Sequence, residues 1–224
     1  MSWSAPIDAY CERLGPGFWA EPLNAISNLA FLLAALFALS LWKMRGGSDR
    51  PAQALCILVA VIGAGSFLFH TIATRWASLC DVIPIAIFIA AYFALALVRF
   101  FGLTPLVAGL GTLIFLLASA FAGPLLAPAV GSSASYVPAL LAMLVIGGLR
   151  IRQRTGPGTL VMAAGITFGV SLTLRTLDTP LCALWPFGTH LFWHLLNAVT
   201  LGLLLVAAID TPPARAPVSR SVTG

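Results

Sequence analysis

The chain has 224 residues, of which 60% are hydrophobic and only 8% charged, with a mean hydropathy of +1.00 and a formal net charge of +5. A water-soluble globular domain needs a polar exterior that this composition does not supply, so the sequence reads as an integral, multi-pass membrane protein. The positive balance follows from where the basic residues fall in the topology, and the "RIRQR" stretch reads as an orientation signal in contact with lipid headgroups; no nucleic-acid partner is expected.

The first 21 residues lack a basic start followed by an apolar core, so no signal peptide is expected. This segment carries Asp8, Glu12 and Glu21 with one Arg13 among them. Three carboxylates offer enough oxygen for a hard cation such as calcium, and a simple solvated acidic segment has the same composition. Apolar runs then recur at 23–42, 52–70, 82–101, 103–121, 133–149, 158–177 and 188–209. Each is close to the roughly 20 residues that cross about 30 Å of hydrocarbon as a helix. They are continuously apolar where a β-barrel would alternate polar and apolar residues. The expected fold is therefore an all-α bundle of seven transmembrane helices.

The connections are short, apart from the glycine- and proline-bearing "AGPLLAPAVGS" between the fourth and fifth spans, and leave no room for a second soluble domain. The expected division is an outer N-terminal segment over 1–21, the bundle over 22–209, and a tail over 210–224 whose proline-rich, polar composition predicts disorder. With seven spans, one side receives nine basic residues, Lys43, Arg45, Arg50, Arg99, Arg150, Arg152, Arg154, Arg215 and Arg220, and the other receives three, Arg13, Arg75 and Arg175. That bias puts the N-terminus outside and the C-terminus in the cytoplasm.

This topology gathers the polar residues. The second span ends near His70, the third begins near Asp81, and the seventh opens with "THLFWH", which carries His190 and His194; all lie at one depth on the outer side. Residues four apart share a helix face, so His190 and His194 point one way, as do Ser66 and His70. Three neutral imidazoles with a fourth position left open make a zinc site of the catalytic kind. The plainer reading is that each histidine hydrogen-bonds within the bundle. "HLFWH" is not "HExxH": Phe192 and Trp193 occupy the middle, so any proton-handling carboxylate comes from elsewhere.

Asp81 is the best-placed acid, since an ionisable residue in a span is costly enough to suggest function; a plain helix N-terminal acid favoured by the dipole is the alternative. Ser66 can donate to an oxyanion. Arg175 and Asp178, three apart, read as a local ion pair. Cys11 and Cys182 both fall on the outer side and are the expected disulfide, with Cys80 as a competing partner and Cys56 inside a span.

The blocks "DAYCERLGPGFWAEPLNAISNLAFLLAAL", "GSFLFHTIATRWASLCDVIPI" and "THLFWHLLNAVTLGLLL" resemble, in order and spacing, the signature blocks of the alkaline ceramidase family. The resemblance implies a seven-helix membrane hydrolase that cleaves the amide bond of ceramide, with zinc on His70, His190 and His194 and with Ser66 and Asp81 assisting at the carbonyl. It also implies a calcium site in the N-terminal segment, for which Asp8, Glu12 and Glu21 are the candidate ligands; Leu14 stands where that segment carries Asn. A membrane lipid is then the substrate, and the cytoplasmic membrane of a bacterium the expected location. The competing function is a zinc-containing lipid receptor of the adiponectin-receptor kind, similar in fold. A receptor needs a sizeable segment outside the membrane for its partners, and the sequence leaves little there, which favours the enzyme.

Overall fold

The computed structural model describes residues 2–154 and 156–212. Among these residues the regular structure is helical: α1 (Pro22–Ser27), α2 (Leu29–Met44), α3 (Arg50–Ile72), α4 (Arg75–Phe101), α5 (Pro105–Val130), α6 (Val137–Arg152), α7 (Gly158–Leu181) and α8 (His190–Ile209), with a 3-10 turn at Gly131–Tyr136 between α5 and α6. Six helical stretches are long and apolar enough to cross a membrane. Pro22–Met44 combines α1 and α2, and the 48-residue stretch Pro105–Arg152 combines α5 and α6. The tail expected to be disordered falls almost wholly on residues 213–224, outside those described.

Three boundaries differ from the sequence expectation, each for a local reason. The segment "AGPLLAPAVGS" was expected as a loop, yet α5 continues through Pro124 and Pro128 and stops only at Gly131, whose φ of 56° takes the chain out of the helix. Proline removes one backbone donor per site, and in an apolar bundle the loss is met by neighbours and small local adjustments. Helix α4 starts at Arg75, seven residues earlier than the apolar run, so Asp81 lies nearly two turns inside it. Helix α7 continues to Leu181 and so contains Asp178.

The core lies where α2, α3, α4 and α8 meet, around Phe31, Val59, Ile62, Phe88 and Leu205. Tyr92 joins it by donating its hydroxyl to the Leu204 carbonyl at 2.9 Å. At the end of the bundle away from the histidines, Arg99 donates to the Ala208 carbonyl (2.7 Å) and to Asp49 Oδ1 (2.6 Å), while Asp49 also accepts from the Ala52 amide at the start of α3. One guanidinium therefore clasps three helices.

At the histidine end the N-terminal segment lies across the bundle. Its Ile7 amide donates to the Ala73 carbonyl at 2.7 Å, and the Arg75 amide returns a bond to the Ala5 carbonyl at 3.2 Å. Cys11 and Cys182 form a disulfide, as expected, while Cys56 and Cys80 are free. Alkylation in denaturant should accordingly find two reactive thiols before reduction and four after it. Cys11→Ser should cost about 2–5 kcal/mol of stability, the usual loss for a native bridge, read as a lowered unfolding midpoint in detergent.

Candidate active site

Helix α3 ends two residues beyond His70, its C-cap Ala73 adopting a left-handed φ of 47°, and α8 begins at His190. The two termini meet. His70, His190 and His194 are 0%, 2% and 1% exposed, and one ligand nitrogen from each lies within 4.8 Å of the others. The second nitrogens have their own partners or neighbours. His70 Nδ1 sits 2.6 Å from Glu21 Oε2, and His194 Nδ1 2.7 Å from Ser27 Oγ. The ring of His190 stacks on Tyr10 with centroids 3.7 Å apart. His70 Nε2 and His190 Nδ1 are buried without a protein partner.

Buried polar atoms in a folded protein are nearly always paired. Unpartnered imidazole nitrogens converging in one group, with a carboxylate and a hydroxyl behind two of the rings, fit a bound metal ion and its supporting shell. Among the described residues this is the only group of three or more His, Cys, Asp or Glu side chains gathered tightly enough to hold an ion.

The start of α8 is held from α7. Asp178 Oδ1 accepts from the amides of Thr189 (2.6 Å) and His190 (2.9 Å), and Oδ2 accepts from the Cys11 amide at 3.1 Å. Asp178 thus caps a helix N-terminus in trans, satisfying donors that the helix itself leaves free. Gly188 makes the approach possible: its φ is +68°, and a Cβ there would overlap the Asp178 carboxylate. The expected Arg175–Asp178 ion pair does not form. Arg175 instead donates to Ser132 Oγ (2.8 Å) and Ser133 Oγ (3.0 Å), and its guanidinium lies over the rings of Tyr136 and Trp193.

Ser66 and Asp81 come together because α3 and α4 touch. An ideal Cβ on Gly65 would overlap the Cys80 carbonyl oxygen and lie 2.8 Å from its carbon. Only a residue without a side chain permits this contact, and it sets Ser66 on one helix beside Asp81 on the other. Both line a cavity together with His194 and Asn197; its walls away from them are apolar, including Phe88, Phe115 and Phe168. The alternative role for Asp81, an acid in the first turn of its helix, is not what the structure has, since that turn contains none.

The three candidate calcium ligands are not brought together. Asp8 is exposed. Glu12 accepts from the amides of Leu23 (2.6 Å) and Asn24 (2.8 Å) and so caps α1; burial raises its pKa against those two donors. Glu21 is engaged by Arg13, Asn24 and His70. Burial alone would push the Glu21 carboxyl up, and the bond from His70 with those from Asn24 and Arg13 outweighs it, holding the group below its usual value. Both buried acids therefore spend their oxygens on protein donors.

The ceramidase family matches the sequence over residues 10–211, which takes in every residue of this site. The chain belongs to the ceramidase family. Membership implies an amide hydrolase with a lipid substrate. No curated protein matches the chain. The candidate site also draws on residues that the sequence does not advertise. Asn197 had a readable signal, since it follows His190 by seven and His194 by three and so shares their face. Trp193, inside "HLFWH", packs with Phe168 and Leu172 as cavity wall, and Phe192 points outward. Ser27, Tyr10 and Arg13 reach the histidines from far along the chain, and no spacing marks them.

The helix contact at Gly65 gives a direct test. Gly65→Ala should destabilise the bundle by about 1–3 kcal/mol, the cost of overpacking, and should lower hydrolysis by moving Ser66 away from Asp81. Gly109→Ala, where a Cβ meets nothing within 4 Å, is the matched control and should leave both unchanged; melting and turnover measured on the same samples check it.

Proposed function

We propose that this protein is a zinc-dependent intramembrane amidase that hydrolyses ceramide or a ceramide-like N-acyl lipid to a long-chain base and a fatty acid. The observation that carries the reading is the junction of a buried three-histidine cluster with an apolar cavity whose polar end also holds Ser66 and Asp81, in a member of the ceramidase family. Membership weighs for an enzyme and against the receptor alternative.

His70, His190 and His194 would hold the ion. A donor set of three buried imidazole nitrogens suits zinc better than a hard cation. Zinc bound there supplies Lewis-acid activation of water near neutral pH and polarises an amide carbonyl. The apolar walls hold the hydrocarbon chains of the substrate, so the amide comes to rest at the polar end. Asp81 takes a proton from the attacking water and returns it to the amine nitrogen as the C–N bond breaks. Ser66 donates a hydrogen bond to the carbonyl oxygen as negative charge develops on it. Glu21 and Ser27, behind His70 and His194, hold those rings in orientation. Calcium has no role in this scheme.

The topology proposed with it is seven crossings, N-terminus outside and C-terminus in the cytoplasm. A straight helix of 48 residues would be about 72 Å long at 1.5 Å per residue, more than twice the hydrocarbon thickness of about 30 Å. The break at Gly131–Tyr136 supports counting α5 and α6 as separate crossings. The nine-to-three division of Lys and Arg supports a site near the outer face.

Purified protein should contain about one zinc per chain, and His70→Ala, His190→Ala and His194→Ala should each lose most of it, since each removes one of three protein ligands. Asp81→Asn should keep its zinc while turnover on ceramide falls by roughly a hundredfold to ten-thousandfold. Ser66→Ala should cost about ten- to a thousandfold. Metal content and lipid products measured by mass spectrometry on the same preparations check all five; an Asp81→Asn protein with full zinc and wild-type turnover would remove Asp81 from the chemistry.

A further inference from the structure

We propose that Arg13 is the positioning residue for His70, and that its guanidinium is the built-in cation of the N-terminal acidic segment. The inference rests on reading His70 as a metal ligand. The Arg13 side chain is 4% exposed and its ion-pair partner Glu21 2%, so neither charge is a solvated surface group. The guanidinium makes three contacts at once: Nε to Glu21 Oε1, Nη1 to the Gly15 carbonyl at 3.0 Å, and Nη2 to the His70 carbonyl at 3.0 Å.

His70 is thereby gripped at two points. Its carbonyl lies in the last turn of α3, where the helix offers no further amide to pair with it, and a cation is favourable at that end of the helix dipole. Its ring is held through Glu21, whose other oxygen faces Nδ1 at 2.6 Å while Asn24 Nδ2 donates to the same oxygen at 3.1 Å. With both Glu21 oxygens engaged, the carboxylate has one orientation, and so does the imidazole against it. Nε2, left without a protein partner, is then turned to the metal group.

Arginine suits this place for a geometric reason. A planar fork of donors serves a carboxylate and two backbone carbonyls simultaneously, and the single ammonium of lysine does not. The same guanidinium neutralises Glu21 and occupies its Oε1, while His70 and Asn24 occupy Oε2.

The test uses full-length protein in detergent, with zinc affinity measured by competition against a graded series of chelators. Wild type, Arg13→Ala, Arg13→Lys, Glu21→Gln and the Arg13→Ala/Glu21→Gln double variant are compared. Arg13→Ala and Glu21→Gln should each weaken zinc about 10- to 100-fold, the scale for residues behind a metal ligand. The double variant should be little weaker than the worse single one, because both act through one path. Arg13→Lys keeps the charge without the fork, so it stays folded if the alanine variant does not, and should still bind zinc less tightly than wild type. Selective removal of calcium should change neither zinc affinity nor melting temperature of the wild type. Wild-type zinc affinity in both Arg13 variants, fully additive losses, or a wild type that weakens when calcium is stripped would each overturn the inference while leaving the histidine site standing. A wild type that binds no zinc would overturn the metal reading itself.

Discussion

Three imidazoles buried in an apolar bundle carry six ring nitrogens that hydrocarbon leaves unsatisfied, and the architecture of this end of the molecule follows from that demand. A buried polar atom without a partner costs on the order of 1–3 kcal/mol. Glu21 and Ser27 meet two of the six, and the remaining inward-facing nitrogens meet at one point. The supporting groups then need support themselves. Glu21 would be a costly buried charge without Arg13, and the α8 amides beside His190 would be orphans without Asp178. The Arg13 and Asp178 contacts in turn end on backbone groups: the Gly15 and His70 carbonyls and the Thr189, His190 and Cys11 amides.

Those closing contacts come mostly from the first 28 residues. This segment carries no long helix, yet it supplies Tyr10 against His190, Arg13 and Glu21 at His70, and Ser27 at His194. It is fixed covalently to the end of α7 through Cys11 and Cys182 and paired by backbone bonds to the α3–α4 turn. The eight-residue gap between the end of α7 and α8 is bent by Gly188 so that one carboxylate, Asp178, reaches both the helix start and Cys11. The segment and this loop are therefore tied together where the Asp178 carboxylate lies beside the Cys11–Cys182 disulfide.

What the sequence made legible was whatever depends on local period and composition. The apolar runs located the helices, and the shared depth of His70, Asp81, His190 and His194 anticipated that the three histidines cluster and that Asp81 lines a cavity with His194, because helix ends on one side of a bundle are neighbours. Arg175 and Asp178 illustrate what local spacing does not decide. Three apart on a helix they are neighbours, but three backbone amides offer Asp178 more than one half-buried guanidinium, and aromatic faces with serine hydroxyls receive Arg175. The acids of the N-terminal segment show the same limit. Composition counts carboxylates without revealing that Glu12 spends its oxygens on α1 and Glu21 on Arg13 and His70. Proline was likewise a poor marker of where α5 ends, since a lipid-facing helix accepts it and the left-handed Gly131 is what stops the helix.

The histidine cluster draws on residue 70 from the middle of the chain and on 190 and 194 near its end, with its buttresses at 10, 13, 21 and 27. No contiguous part of the polypeptide contains a complete set of donors. Until α8 has joined the bundle, two of the three imidazoles have no place beside His70, and the N-terminal buttresses have only that one ring to hold. A chain stopped before α8 would therefore contain Cys11, Cys182 and His70 but neither His190 nor His194, so the disulfide could close ahead of the histidine cluster, which depends on α8.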